Sequence, residues 1–434
     1  MVAEKYHKLQ QAIIGCLINW PNEIDTTCRL IDTNDFIQFN YRQIYDWILA
    51  NEHEINLVNI GLAFPNTTHE IIGWCEEQIT SAFLPQYCRD LKEASRKIAL
   101  LDLASNIKAA EDKSSQEITE MIESAISSHH KAFSEPTLAY DLVKGIAMRL
   151  EERQQRGNTI TGTPYGYYLL DSYTQGMHRG DLVIIAGRPS MGKTALGLNI
   201  FENVCHKGGS ALFFSLEMSK DQLVDRMIAS KGRIKYQSIR SGGFADSDWS
   251  RLTDVCQNMF KWSFAIDDTP GISLVEIKRK ARKFAKRHSL DVLVIDYLQL
   301  MRLPARENRV QAIGEVSRGL KQLARELDVT IIALSQLNRG VDSRQDKRPT
   351  MSDLRDSGEI EQDADVILFP FRPAAYCEKC RDKIDDMTHN LVAHQSQAEV
   401  IIEKQRNGER NLSIPMVWHG HYQRFESLEI ERSR

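Results

Sequence analysis

The sequence predicts an α/β fold with a central, mostly parallel sheet, preceded by a small all-helical domain and a linker helix. Three observations carry this. Apolar residues recur at helical spacing through the first 131 positions, with no strand-like alternation. Proline and glycine then break the pattern on either side of one charged helix. From Gly180 onward, short apolar runs alternate with longer helical patterns.

The helical domain is expected over residues 1–133. Leu9, Ile13 and Leu17 lie four apart, and Leu91, Ile98 and Leu101 continue the same periodicity, so one face of each helix is apolar. No catalytic constellation stands in this part, which reads as a packing and assembly module. Pro136 stops the helical pattern. Leu138 to Arg156 then reads as an amphipathic helix with a charged end, followed by a Gly- and Thr-rich break from Gly157 to Pro164. This places a linker at 134–162. The helix is either solvated or docked on a neighbouring subunit.

The third region, 163–434, is expected to hold the sheet. Leu182–Ala186, Ala211–Leu216, Val292–Ile295 and Val329–Leu334 are apolar runs of four to six residues. Runs of this kind suit strands buried on both faces. Val366–Phe369, Ala398–Ile402 and Leu412–Trp418 read as further strands at one edge.

Composition bounds the function classes. The chain has 434 residues, 42% hydrophobic and 26% charged, which suits two or three globular domains. No run of eighteen apolar residues marks a membrane helix, and the N-terminus lacks the pattern of a signal peptide. Eight scattered cysteines read as reduced thiols of a cytosolic protein. The net charge of −4 argues against a large exposed nucleic-acid-binding face but not against a strand held inside a channel.

The strongest chemical signal is Gly187-Arg188-Pro189-Ser190-Met191-Gly192-Lys193-Thr194, which matches G-x-x-x-x-G-K-[ST]. Its glycines let backbone N–H groups turn toward a phosphate, and the following helix points its positive end at the anion. Lys193 would add charge to the β- and γ-phosphates of ATP or another nucleoside triphosphate, and Thr194 a hydroxyl to Mg²⁺. Leu293-Val294-Ile295-Asp296 is an apolar strand ending in the acid that such a metal needs. Glu217 ends the run after Ala211 and would orient the attacking water. Gln336 ends another run and would sense the γ-phosphate. The stretch from Leu337 to Gly358 is polar and holds five cations, Arg339, Arg344, Lys347, Arg348 and Arg355, so it reads as a flexible basic loop suited to a phosphate backbone. Lys404 and Arg406 stand two apart near the end of an edge strand, so both point the same way. They serve either a neighbour's nucleotide or a charged edge.

Taken in order, these stretches resemble the DnaB family of hexameric replicative helicases. Phe214-Ser215-Leu216-Glu217-Met218, Val294 to Met301, Leu334 to Arg339, Ser352 to Asp365 and Lys404 to Gly408 add to the phosphate-loop match. The resemblance implies a RecA-like motor domain, a homohexameric ring, and sites for ATP with Mg²⁺ between subunits. It implies Lys404 and Arg406 acting in trans, and channel loops that hold single-stranded DNA through Arg355, Asp356 and Gly358. It further implies 5′-to-3′ movement on forked DNA, primase and a helicase loader as partners, no membrane, and a bacterial or phage-infected cytoplasm. A RecA-like recombinase filament shares the core, but the helical N-terminal domain and Lys404–Gly408 favour the helicase. A scaffold with a decayed phosphate loop should have lost at least one of Lys193, Thr194, Glu217, Asp296 and Arg406.

Two departures from the family pattern stand out. The N-terminal domain is short around Asn56–His69, which bears on primase binding through this domain. An apparent insertion after Pro373 carries Cys377, Cys380, His389 and His394, which are zinc-ligand types. Eight residues separate Cys380 from His389, fewer than the usual zinc-finger interval. A solvated hairpin is the simpler reading of this segment, and a zinc site the alternative.

Overall fold

The computed structural model describes residues 2–28, 30–52, 54–110, 160–303, 309–385 and 389–428, with isolated positions between 110 and 160. The predicted linker helix and the boundary at 133 lie outside the described residues, as do the side chains of 355–358. The chain divides into two compact units, Met1–Ile146 and Ala147–Arg434.

The first unit is helical throughout its described part. Helices Val2–Asn19, Phe39–Ala50, Thr68–Glu76 and Leu84–Ala109 surround one core of Ile13, Leu17, Phe36, Tyr45 and Leu84, all fully buried. The Ile13–Leu17 spacing puts both on the inward face, as its period requires. The period overreaches at the end of the long helix, where Leu91 is buried but Leu101 is 55% exposed.

The second unit is built on a nine-stranded sheet. Its strands are β1 (Leu182–Gly187), β2 (Ser210–Ser215), β3 (Ser263–Asp267), β4 (Val292–Asp296), β5 (Thr330–Gln336), β6 (Val366–Phe371), β7 (Gln397–Gln405), β8 (Leu412–His419) and β9 (Arg424–Ser427). The order across the sheet is β3-β2-β4-β5-β1-β6-β7-β8-β9. Pairings from β3 to β6 are parallel, and those from β6 to β9 antiparallel. Every residue of β1 is buried, because alternate side chains enter two separate cores. Val183 and Ile185 join one core, Leu182, Ile184 and Ala186 the other. This two-sided burial explains why the central strands read as continuous apolar runs. Two strands were not legible in the sequence. β3 is a half-exposed edge with the short run Ser-Phe-Ala-Ile-Asp, and β9 spans four mixed residues.

Between β5 and β6 the chain departs from the expected flexible loop. Two 3₁₀ turns, Arg339–Ser343 and Met351–Ser357, lead into the helix Gly358–Asp363, and Val341 and Leu354 are buried. Three of the five cations are committed to partners within the chain. Arg344 pairs with Asp353 at 2.8 Å, Arg348 donates to both oxygens of Glu399 at 2.7 and 2.8 Å, and Lys347 donates to the Asp342 carbonyl at 2.7 Å. The acids that pin them lie on the same segment or on β7, a distance in sequence that charge counting cannot see.

Among the described residues, no helix is long and apolar enough to cross a membrane.

Candidate functional site

The phosphate loop closes β1 and opens the helix Lys193–His206. Gly192 is the helix's first cap and has φ +92°, a region that favours glycine. A side chain there would also strike the Phe425 ring at 2.8 Å. The loop therefore reaches its shape through a residue that only glycine can supply.

The register of the sheet gathers the other predicted groups. Gly187 lies beside Gln336 across β1 and β5, and Ser215 beside Asp296 across β2 and β4. All four strands are parallel, so their carboxyl ends share one crevice, where open α/β sheets place their ligands. A cleft of about 540 Å³ opens there. Lys193, Thr194, Glu217 and Gln336 line it, together with the backbone of the phosphate loop.

At its floor the Lys193 ammonium stands 3.9 Å from the Asp296 carboxylate and 4.0 Å from the Tyr297 ring centroid. Burial pushes the Lys193 ammonium below its ordinary pKa, against the pull of Asp296 and Glu217. Burial pushes Asp296 up, against the pull of Lys193. Asp296 is wholly buried, and neither of its oxygens has a hydrogen-bond partner among the described residues. An orphaned buried carboxylate is costly unless something cationic completes it. With the Thr194 hydroxyl on the cleft wall, the pair fits a divalent cation bound to a phosphorylated ligand.

Two members of the predicted phosphate loop do other work. Arg188 borders the cleft, but its guanidinium is engaged by the segment after β5. It donates to Asp342 at 2.6 and 3.0 Å and to the Leu337 carbonyl at 3.0 Å, tying the loop to the segment after β5. Met191 is buried in the core beneath the sheet. Gln336 is held by Gln299, whose amide donates to Ser335 and accepts the Gln336 backbone N–H.

The cleft also has walls that sequence reasoning missed. Arg226, Tyr297, Arg372 and Trp418 line it. Arg372 donates to the Ser190 carbonyl at 2.9 Å and stacks 4.5 Å above the Trp418 ring. Burial lowers its pKa to about 10, so it stays cationic at neutral pH. No local motif announces these residues, because the antiparallel extension β7 to β9 brings Trp418 back across the sheet.

Lys404 and Arg406 do not line this cleft. Lys404 donates to the Glu361 carbonyl and Arg406 to the Gln362 carbonyl, with Arg406 also 3.4 Å from Asp365. They stand at the opposite end of the sheet. Gln405 pairs with Val366, and Val366 with Val183, four residues before Gly187. That is about 13 Å along the strand. Arg355 and Asp356 lie on the 3₁₀ turn Met351–Ser357, and Gly358 starts the next helix. Cys377, Cys380, His389 and His394 converge on one point between β6 and β7.

Comparison with known proteins agrees with this architecture. Residues 162–427 match the family model of the DnaB-like helicase C-terminal domain. The chain is 36% identical to the replicative DNA helicase DnaC of Bacillus subtilis, over 97% of this chain and 94% of that protein. It is also 36% identical to the replicative DNA helicase DnaB of Geobacillus stearothermophilus, with the same coverage. Among solved structures, a DnaB-like replicative helicase described with its interactions with primase superposes with a TM-score of 0.70 at 28% identity, over 98% of this chain and all of that one. A separately solved ATPase domain superposes with a TM-score of 0.60 at 37% identity, over 66% of this chain and 99% of that one. The chain belongs to the DnaB-like family of replicative DNA helicases.

Proposed function

We propose that this helicase works as a homohexameric ring that hydrolyses ATP between subunits, moves 5′ to 3′ on single-stranded DNA and excludes the other strand of a fork. The observation that carries the reading is the division of catalytic groups between two ends of one sheet. Lys193, Thr194, Asp296 and Glu217 meet at one end, while Lys404 and Arg406 stand at the other. A chain built this way completes a site only with a neighbour.

In this reading the backbone of Gly187–Thr194 cradles the phosphates and Lys193 neutralises the β- and γ-oxygens. Thr194 and Asp296 would hold Mg²⁺, which when bound would offset the phosphates' negative charge. Glu217 orients the attacking water and takes its proton as the γ-phosphoryl group leaves ADP. Arg406 and Lys404 of the adjacent subunit stabilise the charge that develops. Gln336 registers loss of the γ-phosphate. Gln299 and the 3₁₀ turns that follow Gln336 pass that change toward Arg355, Asp356 and Gly358, which hold the DNA backbone. Arg372 and Trp418 flank the nucleotide. The solved relative's interactions with primase make primase the first partner to test for this chain, with a loader to place the ring on DNA. The setting is a bacterial or phage-infected cytoplasm.

The test is strand displacement on forks that carry only a 5′ or only a 3′ single-stranded arm, with Lys193→Ala beside wild type. The reading requires ATP-dependent opening by wild type, lost without the 5′ arm and lost in the variant. Opening that depends on the 3′ arm contradicts the polarity, and opening by the variant contradicts the site.

A further inference from the structure

We infer that the excursion between β6 and β7 is a structural zinc site with Cys377, Cys380, His389 and His394 as its four ligands. Each of these residues offers one ligand atom, and the four atoms all lie within 4.8 Å of one another. The Cys380 thiol is 3.3 Å from His389 Nε2 and 3.0 Å from His394 Nδ1. In a tetrahedral S₂N₂ site, with Zn–S near 2.3 Å and Zn–N near 2.0–2.1 Å, S···N edges are about 3.6 Å. The side chains are therefore already gathered at nearly the spacing of a coordination shell. Two imidazoles on one thiol also make a poor hydrogen-bonding arrangement. A thiol has a single proton to give, so one ring must hold its N–H toward the sulfur while the other accepts. A metal ion uses all four lone pairs at once.

The fold of this segment supplies the second argument. Among the described residues from Cys377 to Ser396, the one buried side chain is Cys380, while Ile384 is 41% and Val392 73% exposed. Its two helices, Glu378–Arg381 and Leu391–Ser396, have four and six residues. Neither length is stable in isolation. An excursion whose described residues form no apolar core needs a staple, and metal binding provides one. Softness and geometry select zinc, since two thiolates and two imidazoles in a tetrahedron suit it better than magnesium or calcium. Four protein ligands leave no open position, so the ion is structural and does no hydrolysis. The short interval between Cys380 and His389, which argued against a finger, fits a knuckle in which one ligand of each pair, Cys380 and His394, is seated on a short helix.

The site also borders the nucleotide machinery. Tyr376, next to the first ligand, has its hydroxyl 3.0 Å from Asp342, the same carboxylate that holds Arg188. The ion fixes the chain where it leaves that node.

The test is the metal content of the full chain, purified with reductant and no added metal. We expect about one zinc per chain by mass spectrometry of the metal. Replacement by Co²⁺ should give the visible bands of a tetrahedral site and a thiolate-to-cobalt charge-transfer band. Cys380→Ser and His394→Asn should each lose the zinc, while Cys28→Ser, at an exposed cysteine of the helical unit, should keep it. The Co²⁺ spectrum of wild type decides the matter even if a ligand variant fails to fold. Folded wild type that takes up neither zinc nor Co²⁺, an octahedral Co²⁺ spectrum, or zinc retained by Cys380→Ser would overturn the assignment.

Discussion

The Nζ of Lys193 stands 3.9 Å from Oδ1 of Asp296, and that carboxylate, fully buried, has no hydrogen-bond partner among the described residues. The pair is poised for a ligand at the expense of stability. Burial raises the folded pKa of Asp296 above its unfolded value. For an acid shifted in this direction the folded state binds the extra proton, so stability falls as pH rises through the window that starts at the ordinary value of 3.8. Asp296→Asn removes the penalty. It should lower ATP turnover about 100-fold or more, yet melt no lower than wild type at neutral pH. Calorimetry beside an ATPase assay checks both halves. A variant that is inactive because it is unfolded contradicts this account of the site.

Arg372 is the second test. It stacks on Trp418 and donates to the Ser190 carbonyl, so it shapes the wall against which nucleotide binds. Lysine keeps the charge but not the planar fork. A buried cation–π contact is worth about 2 kcal/mol. Arg372→Lys should therefore raise the KM for ATP by up to about thirtyfold, with a smaller change in kcat. Trp418 fluorescence should report nucleotide binding in wild type and weaken in the variant.

The Arg188–Asp342 contact predicts a pH dependence. Arg188 holds the Asp342 carboxyl below its ordinary value of 3.8. A depressed acid contributes stability that is present above its unfolded pKa and lost as pH falls through the folded one. The difference in melting temperature between wild type and Asp342→Asn should be constant near neutral pH and close as pH falls below about 3.8. A gap that persists into stronger acid contradicts the pairing.

DNA contact should be confined to a subset of the basic residues after β5. Arg348 is bound to Glu399, so Arg348→Ala should cost about 1 kcal/mol of stability and leave the salt dependence of single-strand binding unchanged. Arg355→Ala should weaken that binding and reduce its slope against log salt by about 1. Equal slopes for the two variants contradict the division.

These cases show where the sequence was informative. The phosphate loop, Asp296, Glu217 and Gln336 were legible as a group because each stands at or just past the end of a buried strand, and parallel neighbours must bring such ends together. The central strands were legible because two-sided burial writes a continuous apolar run. β3 was not, since a half-exposed edge needs no such run. The segment from Leu337 to Gly358 misled for a related reason. Arg344 and Arg348 read as free until Asp353, and Glu399 on β7, were folded against them. Arg372 and Trp418 left no signal because their meeting depends on β8 returning across the sheet. The four zinc-ligand types were visible, but their convergence was not, because it depends on two short helices that the spacing alone does not announce.

In the proposed mechanism each chain carries two halves of a nucleotide site at opposite ends of its sheet and completes neither alone. Mixing two inactive proteins, Lys193→Ala and Arg406→Ala, tests it most directly. After dissociation and joint reassembly, some interfaces would join an intact phosphate loop on one chain to an intact Arg406 on the next. DNA-stimulated ATPase activity should return in the mixture and rise with the fraction of such interfaces, while each variant alone stays inactive. A mixture that forms mixed rings but recovers no activity would contradict it, as would an Arg406→Ala protein that hydrolyses ATP at the wild-type rate.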